Sequence, residues 1–126
     1  MKKVINTPKA PAPIGPYNQA ILIGDTLYIS GQIPLDAVTG TLVQGDIKKE
    51  THKCMENLKA ILTEAGMTFE NVVKSSIFVK DMHQFAAINE AYGSYFESAT
   101  APARETVEVS NLPKFVNVEI SMIAVR

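Results

Sequence analysis

Two stretches with period-two alternation constrain this chain most. Pro102 to Val109 and Val116 to Val125 alternate residue types and are rich in β-branched side chains, so both read as strands, with Asn111-Leu112-Pro113-Lys114 as the turn between them. Alternation puts Arg104, Thr106 and Glu108 on one face of the first strand and Glu105, Val107 and Val109 on the other. On the second strand Val116, Val118, Ile120, Met122 and Ala124 make a wholly apolar core face, while Glu119 shares the opposite face with Asn117, Ser121, Ile123 and Val125. The guanidinium fork of an arginine such as Arg104 matches a carboxylate or phosphate in shape as well as charge. Glu119 reads either as a surface glutamate on a half-exposed strand or as a carboxylate held in the sheet for a reason, because an unpaired charge there is costly.

The rest of the chain supplies more strands and two helices. Pro8, Pro11, Pro13 and Pro16 fall inside nine residues and favour extended backbone. Tyr17 to Ile23 and Thr26 to Ser30 flank Gly24-Asp25, a pair suited to a two-residue hairpin turn. That turn sets Ile23 opposite Thr26, Ile21 opposite Tyr28, Gln19 opposite Ser30 and Tyr17 opposite Gln32. One face then carries Tyr17, Gln19, Tyr28, Ser30 and Gln32, a site wall, a subunit contact or an ordinary solvated face; Ala20, Leu22, Leu27 and Ile29 take the other. Leu35 to Gly45 reads as a loop with room for a short strand at Thr41-Leu42-Val43.

From Asp46 as N-cap to Gly66 as stop, apolar residues recur at helical spacing, with Cys54 on the buried stripe as a small core residue. Val72 to Lys80 is a further strand, with Val73, Ser75, Ile77 and Val79 on one face and Lys74, Ser76, Phe78 and Lys80 on the other. Asp81 and Gln84 form a capping-box pattern for a second helix whose stripe is Phe85, Ile88, Tyr92 and Phe96. Asn89 falls on that inward stripe, where an amide must be paired; it is either a structural linchpin or part of a pocket. The order is β-β-α-β-α-β-β, an α+β fold with two helices on one face of a mixed sheet and an open face bearing Tyr17, Tyr28, Phe78, Ile123 and Val125.

At 126 residues the chain is expected to be a single domain over 1–126. A net charge of −1 gives no electrostatic case for nucleic acid or an anionic membrane. No targeting signal or spanning run is visible, and one cysteine excludes an intrachain disulfide, which fits a cytoplasmic protein. The two histidines lie in or beside different helices and no Cys/His/carboxylate cluster has metal-ligand spacing, so no metal is expected. Neither a phosphate-cradling glycine loop nor a Gly-x-Ser-x-Gly nucleophile is present.

Pro102-Ala103-Arg104 with Val107, Leu112-Pro113-Lys114 and Val118-Glu119-Ile120 resembles the C-terminal signature of the RidA (YjgF/YER057c/UK114) family of enamine/imine deaminases. Ala12-Pro13-Ile14-Gly15-Pro16-Tyr17-Asn18-Gln19, Ser30-Gly31-Gln32-Ile33-Pro34 and Val79-Lys80-Asp81-Met82 with Phe85 and Asn89 resemble its other motifs, in the same order. The resemblance implies a chorismate-mutase-like fold and a homotrimer with pockets between subunits. It implies hydrolysis of 2-iminobutanoate and 2-iminopropanoate, products of pyridoxal-dependent dehydratases, to 2-oxo acids and ammonia without a cofactor.

By the same resemblance Arg104 grips the substrate carboxylate and Glu119 holds or activates water. Tyr17, Ser30, Gly31 and Asn89 line the pocket, and Thr106 stands where many relatives carry cysteine. Glu105 replaces a usually small residue, and alternation points it away from Arg104. The alternative is a non-catalytic trimer that binds 2-oxo acids or a protein partner, which needs Arg104 but not Glu119. RNA cleavage, also attached to the family, finds neither a basic stripe nor a histidine pair here.

Overall fold

The computed structural model describes residues 1–126. Its strands are β1 (Lys2–Ile5), β2 (Ala20–Ile23), β3 (Thr26–Gln32), β4 (Val72–Val79), β5 (Ala103–Glu108) and β6 (Val118–Val125), and its helices are α1 (Ile47–Glu64) and α2 (Phe85–Gly93). One six-stranded sheet runs in the order β1-β2-β3-β6-β4-β5. Only β4 and β5 are parallel, as the helical crossover between them requires. The expected α+β fold is present with one addition, since β1 pairs with β2 where the sequence reading has no strand.

β5 and β6 are not neighbours. β4 lies between them, paired parallel to β5 and antiparallel to β6, so residues 109–117 are a connection over the end of β4 rather than a hairpin turn. The core sits between the sheet and α1, where Leu27, Val118, Ile120, Cys54, Leu58 and Ile61 are fully buried. Asp46 caps α1 as expected, its carboxylate accepting from the amides of Lys48 (3.0 Å) and Lys49 (3.3 Å).

The β2–β3 register follows the Gly24-Asp25 turn, with Ile23 opposite Thr26 and Ile21 opposite Tyr28. Beyond Ile29 a bulge intervenes: Ile29 pairs with Met122, and the next pair is Gln32 with Ile120. The extra residue turns Gln32 to the core face, where it is buried, so it does not share the face of Tyr28 and Ser30. A second bulge after Val72 buries Val72 and exposes Val73, reversing the expected placement of Val73. Asp81 caps a single 3-10 turn, Met82–Gln84, by accepting from the amide of His83; α2 then begins without a side-chain cap, so the capping box does not form. The strand expected at Thr41–Val43 reduces to one bridge between Leu35 and Leu42.

Candidate functional site

The residues singled out by sequence separate into two groups. The first surrounds Arg104. In the parallel ladder Arg104 is level with Ser75 and Thr106 with Ile77, so both point to the helix side of the sheet. The Arg104 guanidinium lies 5.2 Å from the ring centre of Tyr92 and 5.7 Å from that of Phe85, both on α2. Its Nη1 donates to Asn89 Oδ1 at 2.6 Å. Tyr92 is buried and donates from its hydroxyl to Ser75 Oγ at 2.8 Å, which fixes one wall of the aromatic cradle.

Asn89 is exposed on the single chain rather than buried, because α2 turns this residue outward over the sheet edge toward Arg104. Thr106 Oγ1 is buried without a hydrogen-bond partner, a rare condition for a hydroxyl. Glu105 points to the other face, where it pairs with Lys74 at 2.9 Å and accepts from Ser76. Those contacts hold its carboxyl below the usual range and keep it away from Arg104, as alternation indicates.

The second group surrounds Glu119. It is level with Phe78 on β4, and therefore on the sheet face away from the helices. Its carboxyl is half-buried, and loss of water raises its pKa above the ordinary glutamate value. None of its oxygens is engaged by a cation in this chain. The bulge at Ser30-Gly31 brings the backbone against this carboxyl: a Cβ on Gly31 would stand 2.7 Å from Glu119 Cδ, so the approach demands glycine.

A cleft of about 430 Å³ opens beside Gly31, walled by Pro11, Ile14 and Tyr17 on one side and by Ile33, Leu35 and Lys114 on others. Tyr17 lies in the irregular segment before β2, not in a strand opposite Gln32, and its hydroxyl accepts from the Ile14 amide at 3.4 Å. Ser30 spends its hydroxyl proton on the Asn18 carbonyl at 2.7 Å, which ties the bulge to the segment carrying Tyr17.

Tyr17, Ser30, Gly31 and Glu119 are thus brought together, and so are Arg104, Asn89 and Thr106. The two groups are not brought together, since they leave opposite faces of one sheet. Sequence reasoning missed Asn57, whose amide holds the Ile33–Leu35 wall, and misread Gln19 as a face residue although it is buried. The signal at Gln19 was a carboxamide closing a proline-rich run, and at Asn57 an amide three residues after Cys54 and four before Ile61 on the buried stripe of α1.

The fold is that of a small α+β protein with one mixed six-stranded sheet and two helices. The chain belongs to the family described as Endoribonuclease L-PSP, the RidA/YjgF family, whose model matches residues 7–126. A RutC family protein of Pyrococcus horikoshii is 53% identical over 124 residues, covering 98% of each chain. The 2-iminobutanoate/2-iminopropanoate deaminase of Mus musculus is 46% identical over 126 residues, covering 100% of this chain and 93% of its own. Among solved structures, the Rid-family protein YyfA of Yersinia pestis superposes with a TM-score of 0.96 at 46% identity over 100% of both chains. The two histidines are engaged separately, His52 Nδ1 with Tyr95 OH and His83 with Asp81, each at 2.8 Å.

Proposed function

We propose that this protein hydrolyses 2-imino acids such as 2-iminobutanoate and 2-iminopropanoate to 2-oxo acids and ammonia, as a homotrimer whose sites are shared between subunits. One observation carries the reading: Arg104 and Glu119 point out of opposite faces of the same sheet. Each is half of a site, and a cyclic assembly brings the Arg104 face of one copy to the Glu119 face of the next. The deaminase name of the mouse relative supports the same chemistry.

In this reading Arg104, pre-oriented by Asn89 and two aromatic rings, takes the substrate carboxylate through its remaining N–H groups. Thr106 offers its unpartnered hydroxyl, and the Gly31 backbone approaches the substrate without a side chain in the way. Glu119 accepts a proton from water as the water oxygen bonds to the imine carbon. The same carboxyl passes that proton to nitrogen to give the carbinolamine, then carries the carbinolamine hydroxyl proton to nitrogen as the C–N bond breaks, the C=O forms and ammonia leaves. A carboxyl with a raised pKa suits both transfers near neutral pH.

The test couples a dehydratase that generates the imine to 2-oxo acid release. Arg104→Lys and Glu119→Gln should each lose roughly 10²–10⁴-fold in hydrolysis while remaining folded. Mixing the two inactive variants through a dissociation and reassembly step should restore about a quarter of wild-type activity, because each shared site pairs an intact Arg104 with an intact Glu119 one time in four. No recovery on mixing overturns the shared site. Wild-type protein that binds 2-oxobutanoate yet leaves imine loss at the spontaneous rate makes the protein a binder.

A further inference from the structure

The cleft beside Gly31 is walled by backbone that no sheet ladder holds. Residues 6–19 join β1 to β2 without regular structure, and Ile33 to Leu35 follow the last residue of β3. Proline explains why. Pro8, Pro11, Pro13 and Pro16 in one wall and Pro34 in the other lack the N–H that a ladder needs, so these stretches present carbonyls in excess of donors.

Two buried side-chain amides supply the missing donors. Gln19, 2% exposed, donates from Nε2 to the carbonyls of Thr7 (3.0 Å), Ala10 (3.2 Å) and Pro11 (2.9 Å), and its Oε1 accepts from the Thr7 amide at 2.7 Å. Asn57 of α1, also 2% exposed, donates from Nδ2 to the carbonyls on either side of Pro34, Ile33 at 3.1 Å and Leu35 at 3.0 Å. The backbone of Gln19 is committed as well: its N–H donates to Asn6 Oδ1 at 3.0 Å, and its carbonyl accepts from the Ser30 amide at 2.9 Å. Gln19 therefore links the proline wall to the bulge that seats Gly31 against Glu119.

We propose that Gln19 and Asn57 are positioning residues for substrate binding, each fixing one proline-interrupted wall of the cleft at a set distance from Gly31. Only a carboxamide fits at Gln19, because the position needs an acceptor for the Thr7 amide and two N–H donors shared among three carbonyls. Carboxylate would lose the donors and bury a charge, and a methionine or leucine would lose every bond. The inference rests on the cleft being the substrate side of the site, as proposed above. It assigns to these residues a role in binding rather than in the proton transfers, which stay with Glu119.

Hydrogen exchange and steady-state kinetics on Gln19→Met and Asn57→Leu test it. Gln19→Met should speed amide exchange across residues 6–18 and leave α1 and β4 protected; Asn57→Leu should do so across 33–43 only. Both should raise KM by about tenfold or more while kcat stays within about threefold, the pattern of a misplaced binding wall around an intact reacting group. Exchange unchanged in the variant's own segment, or segment exchange raised with KM unmoved, overturns the proposal. Loss of protection throughout the sheet in both variants also overturns it, since the amides would then be determinants of the fold. Absence of imine hydrolysis by the wild type would sink the functional reading instead, and the exchange arm still reports on the clamps.

Discussion

A carboxylate that has lost water and gained no partner is held at a free-energy cost, and Glu119 is in that position. Its pKa is raised in the folded chain, so folding favours the protonated form. The associated stability is fully present below the ordinary glutamate pKa and is lost as pH rises through the folded value. Glu119→Gln removes that penalty. The variant should melt higher than wild type at neutral pH, with the gap closing as pH falls below about 4.5, measured by calorimetry across pH. A carboxyl held at such a cost fits the proton-transfer role proposed above for Glu119.

At this scale the sequence was informative where charge and alternation decide. Arg104 and Glu105 diverge across the sheet as period two requires, and the misfit of a mid-strand glutamate at Glu119 was visible without coordinates. Asn89 was not legible, because helical spacing reports a face but not whether that face overhangs a sheet edge. Gln19 was read by alternation, which fails at a residue lying outside the strand that its neighbours enter.

At the scale of elements, hydrophobic period and caps located both α-helices and every strand except β1, and none of the short 3-10 turns. Lys2 and Lys3 gave β1 no apolar alternation to read, and only the last of its four residues is buried. Bulges were the other failure. The one at Ser30-Gly31 inverts the side of Gln32, and nothing in a local pattern states that two residues oppose one.

The loop before β6 holds a comparable surprise. Lys114, which lines the cleft, and Phe115 after it both adopt left-handed backbone, at φ 54° and 57°. A bulky side chain there costs roughly 1–2 kcal/mol, and Phe115 is 73% exposed, so little packing offsets it. Phe115→Gly should stabilise the fold by about 0.5–1 kcal/mol after its greater unfolded entropy is deducted, read from chemical denaturation.

Across the whole molecule, the helices cover one face of the sheet and nothing in the chain covers the other. Tyr28 is level with Ile123 there, and Tyr28 and Val125 are well exposed. A face of that character suits the subunit contact of the proposed trimer. Sedimentation at micromolar concentration should give the mass of a trimer, and Tyr28→Glu, which puts a charge into that contact, should shift the population to monomer. A stable wild-type monomer would remove both the trimer and the shared site. Similarity to the solved Rid-family chain extends over all 126 residues, so the open face belongs to the common architecture.

The position of β6 has a consequence for how the protein is made. Every other strand precedes it in the chain, yet it lies between β3 and β4 and supplies the inner ladder on both sides. A nascent chain emerging from the ribosome therefore holds β1-β2-β3 and β4-β5 as two unjoined pieces, each with a bare hydrogen-bonding edge. The sheet closes only after Val118–Val125 has been synthesised. The inner ladder is the last to form, and the late-arriving strand is the one bearing Glu119. A chain interrupted in translation before β6 lacks the inner ladder on both sides and lacks Glu119 as well.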